Sequence, residues 1–465
     1  MAVNEELLSG VVQKVIAELM KGQAPLATDF DGIHATVDQA VEGAVQAQRE
    51  LITLPLTQRD EIIAAMRQTV LDNNERLSRM AVEETNLGRY EDKLRENILC
   101  ATKTAGTEDI QPVAKTGDHG LMLLEYAPVG VIGALTPITN PTGTIIHNSI
   151  SMIAAGNAVI FNPHPTATKT SAAMLRLMHR AVVDNGGPAG LISAVAQPTL
   201  DTAREIINHA KVNMLVATGG KPVVKAVLSS GKKAIGAGAG NPPALVDETA
   251  HIRNAADCIV SGASMNNNIF CTCEKEVIVV DEVADSLIKF MQETGRAYPL
   301  SPEEAERVTG LVVNDQGKIN IKYIGKNIQL ILKEVGITVG EEYRLAIFEA
   351  QADHPLVWLE QMMPVIPIVR IPNIQEGIEF AVKVEQGNRH TAIMHSTNVD
   401  HMTAFARAVQ TTIFVKNGPA YAGIGLGGEG HTAFTIAGPT GEGMTSARTF
   451  TRQRRCTLVE GFRII

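Results

Sequence analysis

The chain of 465 residues has little of what would indicate a secreted, membrane-spanning or nucleic-acid-binding protein. Its five cysteines, an odd number in a long chain, do not suggest a disulfide framework, so we expect free thiols in a reducing cytoplasm. No apolar run approaches the roughly 20 residues that span a bilayer. The N-terminus lacks the basic segment and apolar core of a secretory signal. With a net charge of −9 there is no basic excess, so we expect no nucleic-acid partner.

Signatures of metal, redox and phosphate sites are also missing. In "SMNNNIFCTCEKEV" (264–277), Cys271 and Cys273 stand one residue apart. A zinc site needs about four ligands, usually in C-x₂₋₄-C pairs, and no second pair accompanies these two, so we expect no metal. A C-x-x-C redox motif is absent as well. The stretches "ATGGKP" and "GAGAGNPP" complete neither G-x-G-x-x-G nor a phosphate loop.

Each cysteine is therefore either a nucleophile or a small buried hydrophobe. The buried state is usual for a free cysteine, and we predict it for Cys100, Cys258 and Cys456. Cys271 differs because Ser264 and the asparagines 266–268 suit a turn rich in hydrogen-bond donors. A thiol held on such a turn can have its thiolate stabilised.

The N-terminal segment is predicted to be an amphipathic helix followed by a linker. Residues 4–20 place apolar side chains in an i, i+1, i+4, i+5 pattern, and "KGQAPLATDFDG" after them is typical of a linker. The helix either folds back onto the body or docks its apolar stripe onto another protein. Periodicity alone favours the first reading.

The body is predicted to be α/β. Residues 35–104 indicate several helices, and from 121 onwards strands such as "NAVIFNP", "LISAVA" and "VNMLVATGG" alternate with helices. This alternation implies a mostly parallel, doubly wound sheet with ligands at the carboxyl ends of its strands. A second alternating stretch begins at "EKEVIVVDEVADSL", so a second α/β domain is expected. The two cysteines stand at its entrance, where a cleft between domains would lie.

Several motifs, in order along the chain, carry a family resemblance. "LTPITNPTGTII", "ATGG", "GNPP", "NNNIFCTCEKEV", "EQMMPVIP" and "RHTAIMHS" resemble the motif series of the aldehyde dehydrogenase superfamily, in its CoA-acylating branch. The ending "GPTGEGMTSARTFTRQRRCTLV" and the N-terminal segment are similar to the propionaldehyde dehydrogenases of bacterial microcompartments. The resemblance implies two doubly wound α/β domains plus a small β oligomerisation element. The implied ranges are 1–21 for a targeting helix, 22–34 for a linker, 35–112 and 127–250 for a Rossmann-like NAD-binding domain, 113–126 and 440–465 for the oligomerisation element, and 251–439 for the catalytic domain.

The resemblance also implies roles for individual residues. Cys271 matches the catalytic nucleophile, and Cys273 matches a position with no catalytic role. Asn140 matches the residue that holds the oxyanion, although an asparagine there could simply cap a helix. His390 matches a candidate base, against the alternative of a structural histidine. The implied cofactor-binding residues are Thr136, Pro137, Thr218, Gly219 and Glu360, the last of which could instead be a solvated surface charge.

The implied activity converts a short aliphatic aldehyde, NAD and CoA to acyl-CoA and NADH, with propanal favoured as the aldehyde and acetaldehyde possible. Hydrolytic relatives carry "ELGGKNP", whose glutamate activates water, whereas the matching "GAGAGNP" here has Gly236 at that position. The alternatives are a hydrolytic, acid-forming dehydrogenase and a non-catalytic assembly scaffold. By resemblance, the expected partners are microcompartment shell proteins, through the N-terminal helix, and further copies of the chain in a dimer or tetramer. The expected location is the cytoplasm, inside a microcompartment.

Overall fold

A computed structural model describes residues 30–465. The predicted targeting helix (1–21) and most of the predicted linker lie outside these residues. Within residues 30–465, none of the helices combines the length and the apolar character that crossing a membrane requires.

Strands and helices alternate along most of the chain. The strands are β1 (Ile33–His34), β2 (Val113–Gly117), β3 (Gly120–Pro128), β4 (Val131–Leu135), β5 (Ala158–Asn162), β6 (Ile192–Val195), β7 (Met214–Thr218), β8 (Lys233–Ala237), β9 (Pro243–Val246), β10 (Glu276–Val280), β11 (Ala297–Pro299), β12 (Leu345–Glu349), β13 (Val365–Ile371), β14 (Thr391–His395), β15 (Ile413–Lys416), β16 (Ile436–Ala437), β17 (Gly443–Met444) and β18 (Thr451–Val459). The α-helices are α1 (Val37–Leu51), α2 (Leu56–Thr85), α3 (Tyr90–Lys103), α4 (Gly143–Ala154), α5 (Thr168–Asp184), α6 (Leu200–Asn208), α7 (Lys221–Leu228), α8 (Ile252–Ser264), α9 (Asp281–Glu293), α10 (Pro302–Val312), α11 (Ile328–Glu334), α12 (Pro355–Trp358), α13 (Ile374–Glu385) and α14 (Val399–Val409).

The first sheet has six parallel strands in the order β1-β6-β5-β4-β7-β8. Every residue of β4 and β5 is buried, as expected for central parallel strands covered on both faces. The chain winds from β4 outward to β6 and then returns to place β7 on the other side of β4. This reversal creates a topological switch point, which is where doubly wound sheets form ligand crevices.

The second sheet has seven strands in the order β11-β12-β13-β10-β9-β14-β15, also parallel. Its strand β9 falls within the range 127–250 that the sequence analysis assigned to the NAD-binding domain. Residues 238–242, which connect β8 to β9, form no helix that would signal the change of sheet, and this explains the difference. Likewise, the predicted linker 22–34 ends in β1, which pairs with β6 of the first sheet. The doubly wound α/β architecture with two sheets is as predicted.

A separate antiparallel sheet joins β18, β3 and β2, with Thr451 opposite Pro128 and Val459 opposite Gly120. These strands occupy nearly the same residues as the predicted oligomerisation element. All residues of β18 after Thr451 are exposed, including Cys456. The prediction that Cys456 is buried is therefore wrong, because its strand lies outside the hydrophobic core clusters. Cys100 and Cys258 are buried as predicted.

Candidate active site

A cleft of about 610 Å³ collects most of the predicted site residues. Of the eight, seven line it: Thr136, Pro137, Asn140, Thr218, Gly219, Cys271 and Glu360. The first sheet contributes the loops that follow β4 and β7, at its carboxyl edge, as predicted. The second sheet contributes the segments that precede β10 and β13, at its amino edge. The carboxyl-edge rule therefore holds for one sheet only.

The asparagines before Cys271 form a tight buried turn. Asn266, Asn267 and Asn268 adopt left-handed backbone conformations, with φ of 50°, 54° and 64°. Asparagine tolerates this region better than most residues, which explains the run of three. The Asn268 amide donates to the carbonyls of Ala263 and Glu274 at 2.8 and 2.9 Å, so both ends of the turn are tied together.

A buried lysine closes the same turn. The Lys275 ammonium donates to the Asn268 carbonyl at 2.8 Å, to Asn268 Oδ1 at 2.6 Å and to the Phe270 carbonyl at 3.1 Å. All three of its protons are thereby satisfied, as burial of an ammonium requires. A fixed positive charge thus lies beside the residue that precedes Cys271.

Opposing charges act on the Cys271 thiol. Burial raises its pKa to about 12, and the Glu360 carboxylate adds to this rise, whereas the Lys275 ammonium lowers it. The thiol is consequently protonated at neutral pH. Cys273 is buried, packs with Met265 and Phe270, and has its Sγ 3.7 Å from the Met265 carbonyl oxygen. Its surroundings are those of a small core residue.

Asn140 lies just before α4 but does not cap it with its side chain. The cap position is Thr142, and Asn140 contributes only its carbonyl, which accepts from the Thr144 N–H at 3.1 Å. The Asn140 side-chain nitrogen instead donates to Glu96 Oε1 at 3.0 Å. The amide borders the cleft, where its remaining N–H is the kind of donor that stabilises a developing oxyanion.

Glu360 lies in the cleft, so it is not a solvated charge on the outer surface. Its Oε1 accepts the Gly240 N–H at 3.1 Å, and burial raises the pKa of its carboxyl. Gly240 leaves no room for a side chain, because a Cβ there would lie 2.6 Å from the Cys271 carbonyl oxygen and 3.0 Å from His390 Cγ. A glycine at this position lets Glu360, Cys271 and His390 all lie close to the backbone of residue 240.

His390 is the predicted site residue that does not line the cleft. It is buried behind Gly240, its Nδ1 lies 2.8 Å from Thr391 Oγ1, and its Nε2 has no hydrogen-bond partner among residues 30–465. Burial lowers its pKa to about 4, so the imidazole is neutral at pH 7. A neutral ring can accept a proton, and its role as a base stays a prediction.

The cofactor side of the cleft has small residues where a dinucleotide would approach the sheet. Gly219 and Gly220 follow β7, and Gly238 and Ala239 follow β8. A Cβ at Gly238 would meet nothing within 4 Å, so this part of the cleft is open. Position, volume and small lining residues fit a nicotinamide dinucleotide at a switch point.

The structure corrects the expectation for Gly236. This residue lies within β8, and a Cβ on it would lie 2.6 Å from Val224 Cγ1 of α7. A side chain at Gly236 would therefore collide with the helix that covers the sheet. Of the matching stretch "GAGAGNP", Gly238 and Ala239 are the residues that line the cleft.

The apolar wall of the cleft was not predicted from the sequence. Apolar side chains from several loops face the cleft: Ile269, Phe270, Met362, Ile424, Ala433, Phe434 and Ile436. Phe270 and Phe434 pack edge to face with their centroids 5.9 Å apart. Ile269 and Phe270 belong to the cysteine-flanking motif, and Met362 belongs to "EQMMPVIP". The residues from 424 to 436 carry no local signal because the fold brings them there. Such a wall suits an aliphatic substrate.

One group outside the cleft has the spacing of metal ligands. Asp247, Glu248 and His401 offer ligand atoms within 4.8 Å of one another. The Asp247 carboxylate is already engaged, since its Oδ2 lies 2.8 Å from His401 Nδ1 and accepts the Ser396 hydroxyl at 2.6 Å. These contacts account for the cluster as a hydrogen-bonded anchor after β9.

Comparisons with known proteins agree with this fold. The model of the aldehyde dehydrogenase family matches residues 21–449. The acetylating acetaldehyde dehydrogenase of Escherichia coli is 44% identical, over 99% of this chain and 100% of its own. A structure of Rhodopseudomonas palustris propionaldehyde dehydrogenase with bound CoA and an acylated cysteine is 48% identical, covers 94% of this chain and 100% of its own, and has a TM-score of 0.92. A propionaldehyde dehydrogenase from the fucose-utilisation bacterial microcompartment of Clostridium phytofermentans is 46% identical, covers 93% and 100%, and has a TM-score of 0.92.

Proposed function

The chain belongs to the aldehyde dehydrogenase family, and we propose that it is a CoA-acylating member that converts a short aliphatic aldehyde, NAD and CoA to acyl-CoA and NADH. Propanal is the favoured substrate and acetaldehyde the second. The observation that carries the proposal is the meeting of Cys271 and Asn140 with an apolar wall in one cleft of about 610 Å³. That cleft holds a nucleophile, an oxyanion donor and room for a dinucleotide.

The chain's own residues account for acylation. The Cys271 thiol passes its proton to a base or to water, and its sulfur adds to the aldehyde carbonyl. The oxyanion that forms accepts hydrogen bonds from the Asn140 amide and the Cys271 N–H. Removing one such donor typically costs about 3–4 kcal/mol of transition-state stabilisation. Thr136, Pro137, Thr218, Gly219 and Glu360 would hold NAD, which would supply the acceptor for the hydride. Loss of the hydride leaves an acyl thioester on Cys271.

Transfer to CoA completes the reaction. The CoA thiol, as thiolate, attacks the acyl carbon, its proton goes to a base or to water, and the Cys271 sulfur departs. The two thioesters are close in bond energy, so the reaction can run in both directions. Hydrolysis needs a carboxylate that activates water, and Gly238 and Ala239, the residues of the matching stretch that line the cleft, offer none. The acid-forming alternative is therefore disfavoured, and a scaffold without activity would have no need of this cleft.

A product assay tests the proposal. With propanal and NAD, NADH should form catalytically only with CoA present, and the product should be propanoyl-CoA. Cys271→Ala should abolish NADH formation. Cys273→Ala, its matched control, should keep most of the activity and lose about 1 kcal/mol of stability from its truncated core side chain. Catalytic propanoate formation without CoA, or an inactive but folded Cys273→Ala variant, would contradict the proposal.

We further propose that residues 1–21 direct the enzyme to microcompartment shell proteins. Support comes from the apolar stripe in residues 4–20 and from the Clostridium phytofermentans relative, which comes from such a compartment. Fusing residues 1–22 to a fluorescent protein should make it co-purify with shell particles, and removing them should leave kcat unchanged. A strong loss of activity on truncation would instead make the segment part of the enzyme body.

A further inference from the structure

Helix α3 turns an unusually polar face towards the protein core. Asp92, Lys93, Glu96 and Asn97 are all buried on it. Charged side chains are rarely fully buried unless they are paired. Lys93 and Glu96 form such a pair at 2.8 Å, with side-chain exposures of 1% and 0%. The other hydrogen-bond partners of Lys93 and Glu96 indicate the role of the pair.

Both members of the pair reach the loop that carries Asn140. The Lys93 ammonium donates to the Thr139 carbonyl at 2.5 Å, and Glu96 Oε1 accepts from Asn140 Nδ2 at 3.0 Å. An ionised carboxylate only accepts hydrogen bonds, so it admits the amide nitrogen of Asn140 and excludes the amide oxygen. The contact therefore determines which way the amide is turned. Burial raises the pKa of Glu96, whereas the Lys93 charge and the Asn140 hydrogen bond lower it.

The same helix also holds the turn before the nucleophile. Asp92 Oδ2 accepts the Asn266 N–H at 2.8 Å, and the Arg89 N–H, at the start of α3, donates to Asn266 Oδ1 at 2.8 Å. The Lys93 Nζ lies 5.9 Å from the Phe270 ring centroid. The oxyanion donor and the nucleophile, which come from different sheets, are thus both attached to one helix.

We propose that Glu96, held by Lys93, is a positioning residue that keeps the Asn140 amide nitrogen directed for oxyanion stabilisation. This inference rests on the proposed function. A purely architectural ion pair would need no third partner in the cleft, whereas here the carboxylate oxygen that Lys93 leaves free is the one that binds Asn140.

Glu96→Gln should disturb the hydrogen bonds among Lys93, residue 96 and Asn140 while keeping a side chain of the same size at position 96. The Lys93 ammonium requires an acceptor and would hold the glutamine oxygen, which leaves the glutamine NH₂ facing Asn140. Two donors would then oppose each other, and the Asn140 amide would turn over. We expect kcat for propanal oxidation to fall about tenfold or more, with the KM for propanal within about twofold, because the donor acts mainly in the transition state.

A double-mutant cycle tests whether Glu96 acts through Asn140. Asn140→Ala alone should lower the single-turnover rate of NADH formation by about 10²- to 10³-fold. Adding Glu96→Gln to it should cost less than about twofold more, because the group being positioned is already gone. Alkylation of Cys271 by iodoacetamide should be unchanged in Glu96→Gln. Equal losses in both backgrounds, or an unchanged kcat in Glu96→Gln, would overturn the proposal.

Asn97→Ala is the matched control for a general loosening of α3. Within residues 30–465 the Asn97 amide donates to Asn74 Oδ1 and Ser78 Oγ, at 3.0 and 3.1 Å, and makes no hydrogen bond to Asn140. Its removal should lower Tm and leave kcat unchanged. If kcat fell as it does in Glu96→Gln, the positioning role would be refuted.

A second variant covers the case in which Glu96→Gln does not fold. Glu96→Asp keeps the charge that pairs with Lys93 but withdraws the carboxylate from Asn140 by one methylene. It should show a smaller kcat loss that also disappears in the Asn140→Ala background. Wild-type NADH formation in a single turnover checks the proposed function separately. An active wild type with additive losses would refute only the role of Glu96.

Discussion

Burial raises the pKa of the Cys271 thiol most strongly, and two charges of opposite sign modify that pKa. The Lys275 ammonium favours the thiolate, and the Glu360 carboxylate opposes it. Glu360 is also one of the residues expected to bind NAD. We therefore expect this one carboxylate both to restrain the thiol and to hold the cofactor, and a substitution there should separate the two effects.

Glu360→Gln should make Cys271 easier to alkylate while the enzyme becomes less active. Removing a negative charge that raises the thiol pKa lowers that pKa, so more thiolate is present at any pH below about 12. A fall of one unit would speed alkylation about tenfold, because the thiolate is the reactive form. The measurement is the iodoacetamide rate between pH 7 and 9, alongside the KM for NAD, which should rise.

Glu274→Gln provides the comparison for that experiment. Glu274 is buried three residues after Cys271, and burial raises its pKa to about 8, so at pH 7 it is mostly neutral and glutamine resembles it. The rate at which iodoacetamide alkylates Cys271 in Glu274→Gln at pH 7 should match that of the wild type. Slower or unchanged alkylation in Glu360→Gln would show that its charge does not act on the thiol.

At the scale of elements, local patterns predicted the strands, the helices and the asparagine turn. The alternation after residue 121 and the run 266–268 both reflect short-range preferences that survive in the fold. Strand β9 was assigned to the wrong sheet because "PALV" follows β8 without a helix between them. The burial of Cys456 was predicted from residue type, although its strand lies outside the cores.

The polar face of α3 shows why part of the site escaped sequence analysis. Positions 92, 93, 96, 97, 100 and 101 form one buried stripe, on which Cys100 and Ala101 are ordinary core residues. Charged residues on an otherwise buried helix face can be recognised from sequence, and they indicate that buried polar partners exist. Their partners Asn140 and Asn266 are 44 and 170 residues from Glu96, and no local pattern joins positions that only the tertiary fold brings together.

At the scale of the whole molecule, the antiparallel sheet of β18, β3 and β2 ends, in the described part of the chain, in an edge strand that is unpaired on one side. Strand β18 pairs along one edge with β3 and has no second neighbour among residues 30–465. Its exposed side chains include Leu458 at 46% and Val459 at 74%, followed by Phe462 at 70%. Long exposed edge strands that carry apolar residues tend to pair with another chain. We therefore expect this sheet to join copies of the enzyme into a dimer or tetramer.

Removing residues 452–465 should convert the oligomer to a monomer in light scattering. Both parallel sheets should survive the deletion. Strand β18 pairs with β3 in the separate antiparallel sheet, and none of its residues after Thr451 is buried. Far-ultraviolet circular dichroism should accordingly change little. Removing only residues 461–465, which leaves β18 whole, should preserve the oligomer and serves as the control for loss of the chain end. An unchanged mass after the longer deletion would place the subunit interface elsewhere.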